Sequence, residues 1–250
     1  MNAEVEAALS RLRADAPIFH SGDVERSWCA LPGTLQLLGR LVDKGQHTLE
    51  IGCGASTVLF AAAGTTHIAI SPRADEHERV RDYCRQIGVD PAHVEFLTGT
   101  SDELLPRLDP SLQLDVAFID GDHSFPHPML DWHYVNKHLR VGGVLLADDL
   151  PTPAVGVIGE YMIASPNWSL LESADRRAAA FRKLEHRTAY YDFVADPFNR
   201  APSYYRFLGR REALRLGIVE RANRAKARVG ARYPRARRLW RNARRAGPGR

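Results

Sequence analysis

The sequence predicts a doubly wound, Rossmann-like α/β fold: a mostly parallel sheet with helices on both faces and a terminal antiparallel strand pair. Three observations carry this prediction. From Thr48 to Ala147, short apolar runs of strand length alternate with longer segments of helical character. A glycine-rich turn, Gly52-Cys53-Gly54, follows the first of these runs, and the runs Leu114–Ile119 and Gly143–Ala147 both end in aspartate. Strands separated by helices in this rhythm form parallel sheets, because a crossover is needed to bring each strand back in the same direction.

The elements follow in order. Glu4 to Val42 reads as helical, interrupted at Leu31-Pro32-Gly33, with a second helix starting at Thr34. Thr48–Ile51 is the first strand, and Ser56–Ala63 the apolar helix after the glycine turn. His67–Ile70 is the second strand, followed by a charged helix over Asp75–Gly88. Val94–Leu97 is the third, with a short helix near Ser101–Leu108. Leu114–Ile119 is the fourth, ending at Asp120, and Leu130–Leu139 is helical. Gly143–Ala147 is the fifth, ending at Asp148-Asp149, and Val155–Ile163 is a further helix. Trp168–Glu172 and Ala178–Lys183 flank the polar Ser173–Arg177 and read as the antiparallel pair. Tyr190–Tyr205, rich in Pro, Asn and aromatics, reads as an irregular connector.

Three regions result: an N-terminal helical segment (1–47), the α/β domain (48–205) and a basic tail (206–250). The chain of 250 residues carries a net charge of +4, but that charge is unevenly placed. The tail holds 16 Lys and Arg against 2 acidic residues, and the rest 18 basic against 28 acidic, so the tail stands at +14 and the body at −10. The basic character therefore belongs to the tail and says nothing about a ligand of the body. No run approaches the roughly 18–20 consecutive apolar residues of a membrane span, and the N-terminus has no apolar signal-peptide core. Three scattered cysteines, Cys29, Cys53 and Cys84, do not make a disulfide framework or a zinc cluster. A cytoplasmic protein is the expectation.

Two constellations carry chemistry. In Glu50-Ile-Gly-Cys-Gly-Ala-Ser56 the glycines let backbone approach a ligand closely, beside the N-terminus of a helix. A dinucleotide fingerprint would place a third glycine at position 57, which is Thr57; that counts against a nicotinamide cofactor. The second constellation is Asp120-Gly-Asp122-His123 with Asp148-Asp149. Adjacent parallel strands put Asp120, Asp148 and Asp149 at one carboxyl edge, where α/β sites form. Three converging carboxylates repel, and a divalent ion with oxygen ligands, Mg²⁺ or Mn²⁺, relieves that repulsion. His123 on the adjoining loop is the candidate general base, with His127 and His133 as rivals; an imidazole titrating near about 6.5 suits that role. Phe125-Pro-His-Pro-Met129 is a stiffened loop over the same edge.

From Thr48 to Lys183 the chain resembles the class I S-adenosylmethionine-dependent methyltransferases, on the glycine turn and the acidic strand ends quoted above. The resemblance implies that Glu50, Gly52, Cys53 and Gly54 line the amino-acid end of S-adenosylmethionine, with Ser101 and Asp102 near its adenine and Asp120 also at the cofactor. The family usually has an acidic residue at the end of the second strand for the ribose. Here Ile70-Ser71-Pro72 departs from it, leaving Ser71, or Asp75 or Glu76 from the next helix, to replace it. The Asp120/His123 and Asp148/Asp149 pairs are similar to those of metal-dependent O-methyltransferases of catechol and macrolide-sugar type, and Asp149 leans toward the latter. That likeness implies a metal on Asp120, Asp148 and Asp149, His123 as base, and a small-molecule or glycosidic hydroxyl as acceptor.

Other functions stay open at this point: a metal-independent N- or carboxyl-methyltransferase, and a nucleic-acid-binding protein using the tail. Asp-Gly-Asp-His in place of a base-stacking Asn/Asp-Pro-Pro-Tyr argues against base methylation. In the tail, Leu214, Ile218, Ala222, Ala225 and Val229 form one narrow apolar stripe among arginines, ending before Pro234. This stripe suits peripheral contact with an anionic membrane or an acidic partner, and disorder is expected after Pro234.

Overall fold

A computed structural model of the chain describes residues 1–20 and 30–186, together with Phe198, Arg215, Ile218 and Ala222. The chain divides into two units, Met1–Asp192 and Phe193–Arg250. In the second, Ile218 and Ala222 are helical and exposed; the remainder of the expected tail stripe lies outside the described residues. Among the described residues no helix is long and apolar enough to cross a membrane.

In the first unit, α1 (Ala3–Asp15) begins where the Asn2 side chain accepts the Val5 N–H at 2.8 Å, with Glu4 and Glu6 favourably placed in the first turn. The helix stops well short of the expected break. Ala16 is left-handed, its N–H bonded to Leu12 O, and Pro17 cannot continue the ladder. The chain then packs onto α4 (Ala74–Gln86): Phe19 meets the Tyr83 ring edge-on, and Arg79 donates to the Phe19 carbonyl at 2.8 Å. The second helix, α2 (Pro32–Leu41), begins at Pro32 rather than after it, because proline has the right φ for a first helical turn and needs no amide partner there.

The remaining elements are β1 (His47–Ile51), α3 (Ala55–Ala63), β2 (Thr66–Ser71), β3 (Val94–Thr98), α5 (Ser101–Leu104), β4 (Leu114–Ile119), α6 (His127–His138), β5 (Leu139–Ala147), α7 (Pro153–Ala164), β6 (Trp168–Ala174) and β7 (Ala178–Lys183). They form a seven-stranded sheet in the order β3-β2-β1-β4-β5-β7-β6, parallel except for β7. Alternate residues of each central strand feed different cores. Phe118 and Leu146 pack with α1, α2, α3 and α4, whereas Ile119 and Leu145 pack with α6 and α7. Two covered faces explain why these strands read as unbroken apolar runs.

The register aligns the carboxyl ends of the central strands: Ile51 pairs with Ile70 and Ile119, and Ile119 with Ala147. The ladder runs one step further, through Gly52 N–H to Ile70 O, Asp120 N–H to Ile51 O and Asp148 N–H to Ile119 O. Gly52, Asp120 and Asp148 therefore share one edge. The opposite direction of β7 sends its start, not its end, to that edge, since Ala179 pairs with Ala147. The β6–β7 turn holds Asp175 and Arg176 at φ +53° and +59°, the left-handed pair that suits the twist of a tight hairpin. From this turn Asp175 accepts the Thr34 N–H at 2.7 Å, capping α2 across the fold. Asp175→Ala is expected to lower unfolding free energy by about 1 kcal/mol, the usual worth of a cap, measurable by denaturant titration.

Candidate active site

The aligned strand ends border a cavity of about 660 Å³ lined by residues of the glycine turn, both acidic strand ends and the start of α4. Gly52 adopts φ +108°, and a Cβ there would stand 2.5 Å from the Asp120 carbonyl oxygen. It is glycine because of the neighbouring strand end, not because of the cavity. Gly54 has extended φ, and its missing Cβ would face His20, 3.4 Å from Nε2, in the cavity wall. At Gly54 a Cβ would come into ordinary contact with that ring.

Glu50 lies beneath this turn and is only 1% exposed, so the structure does not bring it to the cavity wall. Its carboxylate accepts the Ser56 hydroxyl at 2.5 Å and that of Thr57, and it faces His67 Nε2 at 3.2 Å. Thr57 in turn accepts the Gly54 N–H at 2.9 Å. The residue that breaks the dinucleotide fingerprint thus ties the turn to the strand. Burial, with the Glu50 charge nearby, pushes the Cys53 thiol far up and leaves it a neutral packing group.

At the end of β2, Ser71 is buried and donates to Glu76 at 2.8 Å. Glu76 also pairs with His20 Nδ1 at 2.9 Å and Arg73 Nε at 3.3 Å, and both Ser71 and Glu76 line the cavity. Burial pushes the Glu76 carboxyl upward, but the bonds from His20 and Ser71 outweigh it and hold it below the usual range. Asp75 points elsewhere, to Arg79 at 2.9 Å. Ser101 lines the cavity, whereas Asp102 is exposed and does not. Asp131, on α6, is fully buried with both carboxylate oxygens lacking a hydrogen-bond partner among the described residues. Burial pushes it up to about 6, against the pull of nearby Ser101.

The acidic strand ends do not converge as a carboxylate trio. Asp148, 1% exposed, gives both oxygens to Arg177, with Nε at 2.7 Å and Nη2 at 2.9 Å. It also accepts the Asp149 N–H at 2.9 Å, which holds Asp149 at φ +53°. Asp149 bonds Arg177 Nη2 at 3.0 Å and faces His123 Nε2 at 3.3 Å, while Asp120 lies 3.8 Å from the same nitrogen. The assembled group is Asp120, His123 and Asp149, whose ligand atoms lie within 4.8 Å of one another. Burial, the neighbouring Asp148 and Asp149 and an opposing pull from His123 leave the Asp120 carboxyl at about 6. Asp120 beside it raises His123, against burial. The rivals separate. His127 also lines the cavity, 3.0 Å from Asp122, whereas His133 packs beside Tyr134 away from it.

Arg177 and His20 were not among the residues singled out from the sequence. Arg177 sits in a polar turn, one arginine among many. His20 lies 56 positions before its partner Glu76. Neither spacing signals an ion pair.

Residues 49–150 match the family model of a methyltransferase domain. Curated protein sequences yield no match. Among solved structures, the cofactor-bound Rv0187 from MTB is 20% identical with a TM-score of 0.53, over 74% of this chain and 92% of that one. A protein from Corynebacterium glutamicum is 17% identical with a TM-score of 0.54, over 75% and 92%. The O-methyltransferase TomG from Streptomyces achromogenes, solved with S-adenosylmethionine, is 19% identical with a TM-score of 0.51, over 74% and 91%. At such identities these structures establish the shared fold. The matched span contains the glycine turn, both acidic strand ends and His123.

Proposed function

We propose that the protein methylates a hydroxyl of a small or glycosidic acceptor, with His123 as general base and a divalent cation on Asp120 and Asp149. The observation that carries this reading is His123 Nε2. It is buried without a hydrogen-bond partner among the described residues, faces two carboxylates, and lies in the wall of the cavity that also holds the glycine turn. Asp120 and Asp149, both beside Nε2, would stabilise the imidazolium that forms when the ring takes the acceptor's proton.

The glycine turn would take the amino-acid end of S-adenosylmethionine. Glu76, aimed by Ser71, His20 and Arg73, replaces the missing strand-end acid and would accept the ribose hydroxyls, with Ser101 toward the adenine. The bound cofactor supplies a methyl group on a sulfonium, a leaving group needing no protein acid. Asp120 and Asp149 fit a cation: two crowded carboxylates, one of them pushed toward neutrality, suit Mg²⁺ or Mn²⁺, which keep several waters and need only one or two protein carboxylates. A cation there would lower the acceptor hydroxyl's pKa and fix its position. Asp148 is left out because Arg177 holds both its oxygens, so it orients Asp149 instead. Asp120, Asp122 and Asp149 make the wall acidic, which disfavours an anionic carboxylate acceptor.

Arg177 favours a second reading, in which its guanidinium is the cation of the site and turnover is metal-free. EDTA treatment separates the two: activity lost to chelation and restored by Mg²⁺ or Mn²⁺ supports the first, and full activity after chelation supports the second. His123→Ala is expected to lose roughly 10²–10⁴-fold in rate, together with the rising limb of the pH–rate profile, while cofactor affinity holds. A larger loss in His127→Ala would move the base there. Gly54→Val should abolish S-adenosylmethionine binding in calorimetry without unfolding the domain; wild-type affinity in a folded variant would refute the cofactor's placement.

A further inference from the structure

We infer that His67, 17 positions beyond Glu50 on the neighbouring strand, is a positioning residue for the cofactor, holding the glycine turn through a buried proton. The inference rests on placing S-adenosylmethionine at Gly54. It follows from the directions of a chain of hydrogen bonds. The Thr65 hydroxyl lies 3.1 Å from the Phe60 carbonyl, which can only accept, so Thr65 donates there. Thr65 must then accept from Thr48, 3.0 Å away, and Thr48 has spent its single proton. The 2.8 Å contact between Thr48 and His67 Nδ1 therefore requires a proton on Nδ1.

The other ring nitrogen, Nε2, faces the Glu50 carboxylate at 3.2 Å. With Nδ1 protonated, a neutral ring would set a lone pair against a carboxylate oxygen in a site that excludes water. Ser56 and Thr57 both donate to Glu50. The contact with Nε2 thus needs a proton held between the ring and the carboxylate, and Phe60, stacked on the ring at 4.0 Å and 13°, closes it off. From His67 the chain runs through Glu50 and Thr57 to the Gly54 N–H, so the proton at His67 fixes the backbone against which the cofactor lies.

The experiment measures S-adenosylmethionine affinity by calorimetry, and KM for the acceptor, in wild type, His67→Gln, His67→Phe and Gly54→Val, each checked for folding by circular dichroism. His67→Phe should weaken cofactor binding about 10- to 100-fold, the worth of a hydrogen bond to a charged group, and leave acceptor KM within about twofold. His67→Gln, which keeps a donor toward Glu50, should recover most of the loss. Loss of affinity in Gly54→Val beside unchanged affinity in folded His67→Phe overturns the inference and leaves the cofactor placement standing. Unchanged affinity in both overturns the placement and the inference with it. Should His67→Phe fail to fold, ¹⁵N spectra of the wild-type imidazoles decide, assigned with His67→Gln: an Nε2 that shares a hydrogen-bonded proton with Glu50 supports the inference, and an Nε2 without a hydrogen bond overturns it.

Discussion

A carboxylate buried at the end of a central strand must be compensated where it stands, because an isolated charge in low dielectric costs far more than a fold's net stability. Glu50 is such a group, and its compensation organises the glycine-turn end of the domain. Two hydroxyl donors come from the first turn of α3, and the remaining partner, His67, comes from the neighbouring strand. Satisfying the charge therefore ties β1, β2 and α3 together at the point where the chain turns. Breaking a buried ionic arrangement by removing one partner is strongly destabilising, even where the intact arrangement adds little net stability. What the network contributes is geometric definition of a turn that glycines alone would leave loose.

The same constraint acts again two strands away. Asp148 is as deeply buried as Glu50, and its compensation is Arg177, delivered by the one strand that runs against the others. A parallel β7 would bring its far end to this edge; the antiparallel hairpin brings its turn. That turn meets both obligations at once, since Asp175 caps α2 while Arg177 clamps Asp148. With Asp148 engaged and Asp149 held in a left-handed conformation, Asp120, His123 and Asp149 are brought together in the cavity wall.

The N-terminal segment belongs to the same construction. Its chain leaves the helical path at Ala16-Pro17, packs Phe19 on α4, and so delivers His20 to Glu76 and to Gly54. Glu76, from the next helix, thereby stands beside the end of β2, where the strand itself carries no acid. Three partners hold Glu76 there: a serine from the strand end, the arginine at the N-cap of its own helix and a histidine from the N-terminal segment.

The order of strands and helices, the parallel core and the glycine turn were legible in the sequence, because period-2 and period-3.6 burial and left-handed backbone positions are local properties that residues record one by one. The common edge of Asp120 and Asp148 was legible too, since parallel crossovers force it. The sequence could not show which acid faces which partner. Glu50 reads as a cavity residue and is a support; Asp148 reads as an open ligand and is clamped. Ser71 reads as a ribose contact, and its hydroxyl donates to Glu76 in the cavity wall. In each case the deciding partner, His67, Arg177 or His20, comes from another element. An ion pair depends on the distance between two side-chain tips, and only tertiary packing sets that distance. By itself the sequence determined the fold and the edge where the acidic groups gather; the tertiary structure decided which charges are compensated within the protein and which line the cavity.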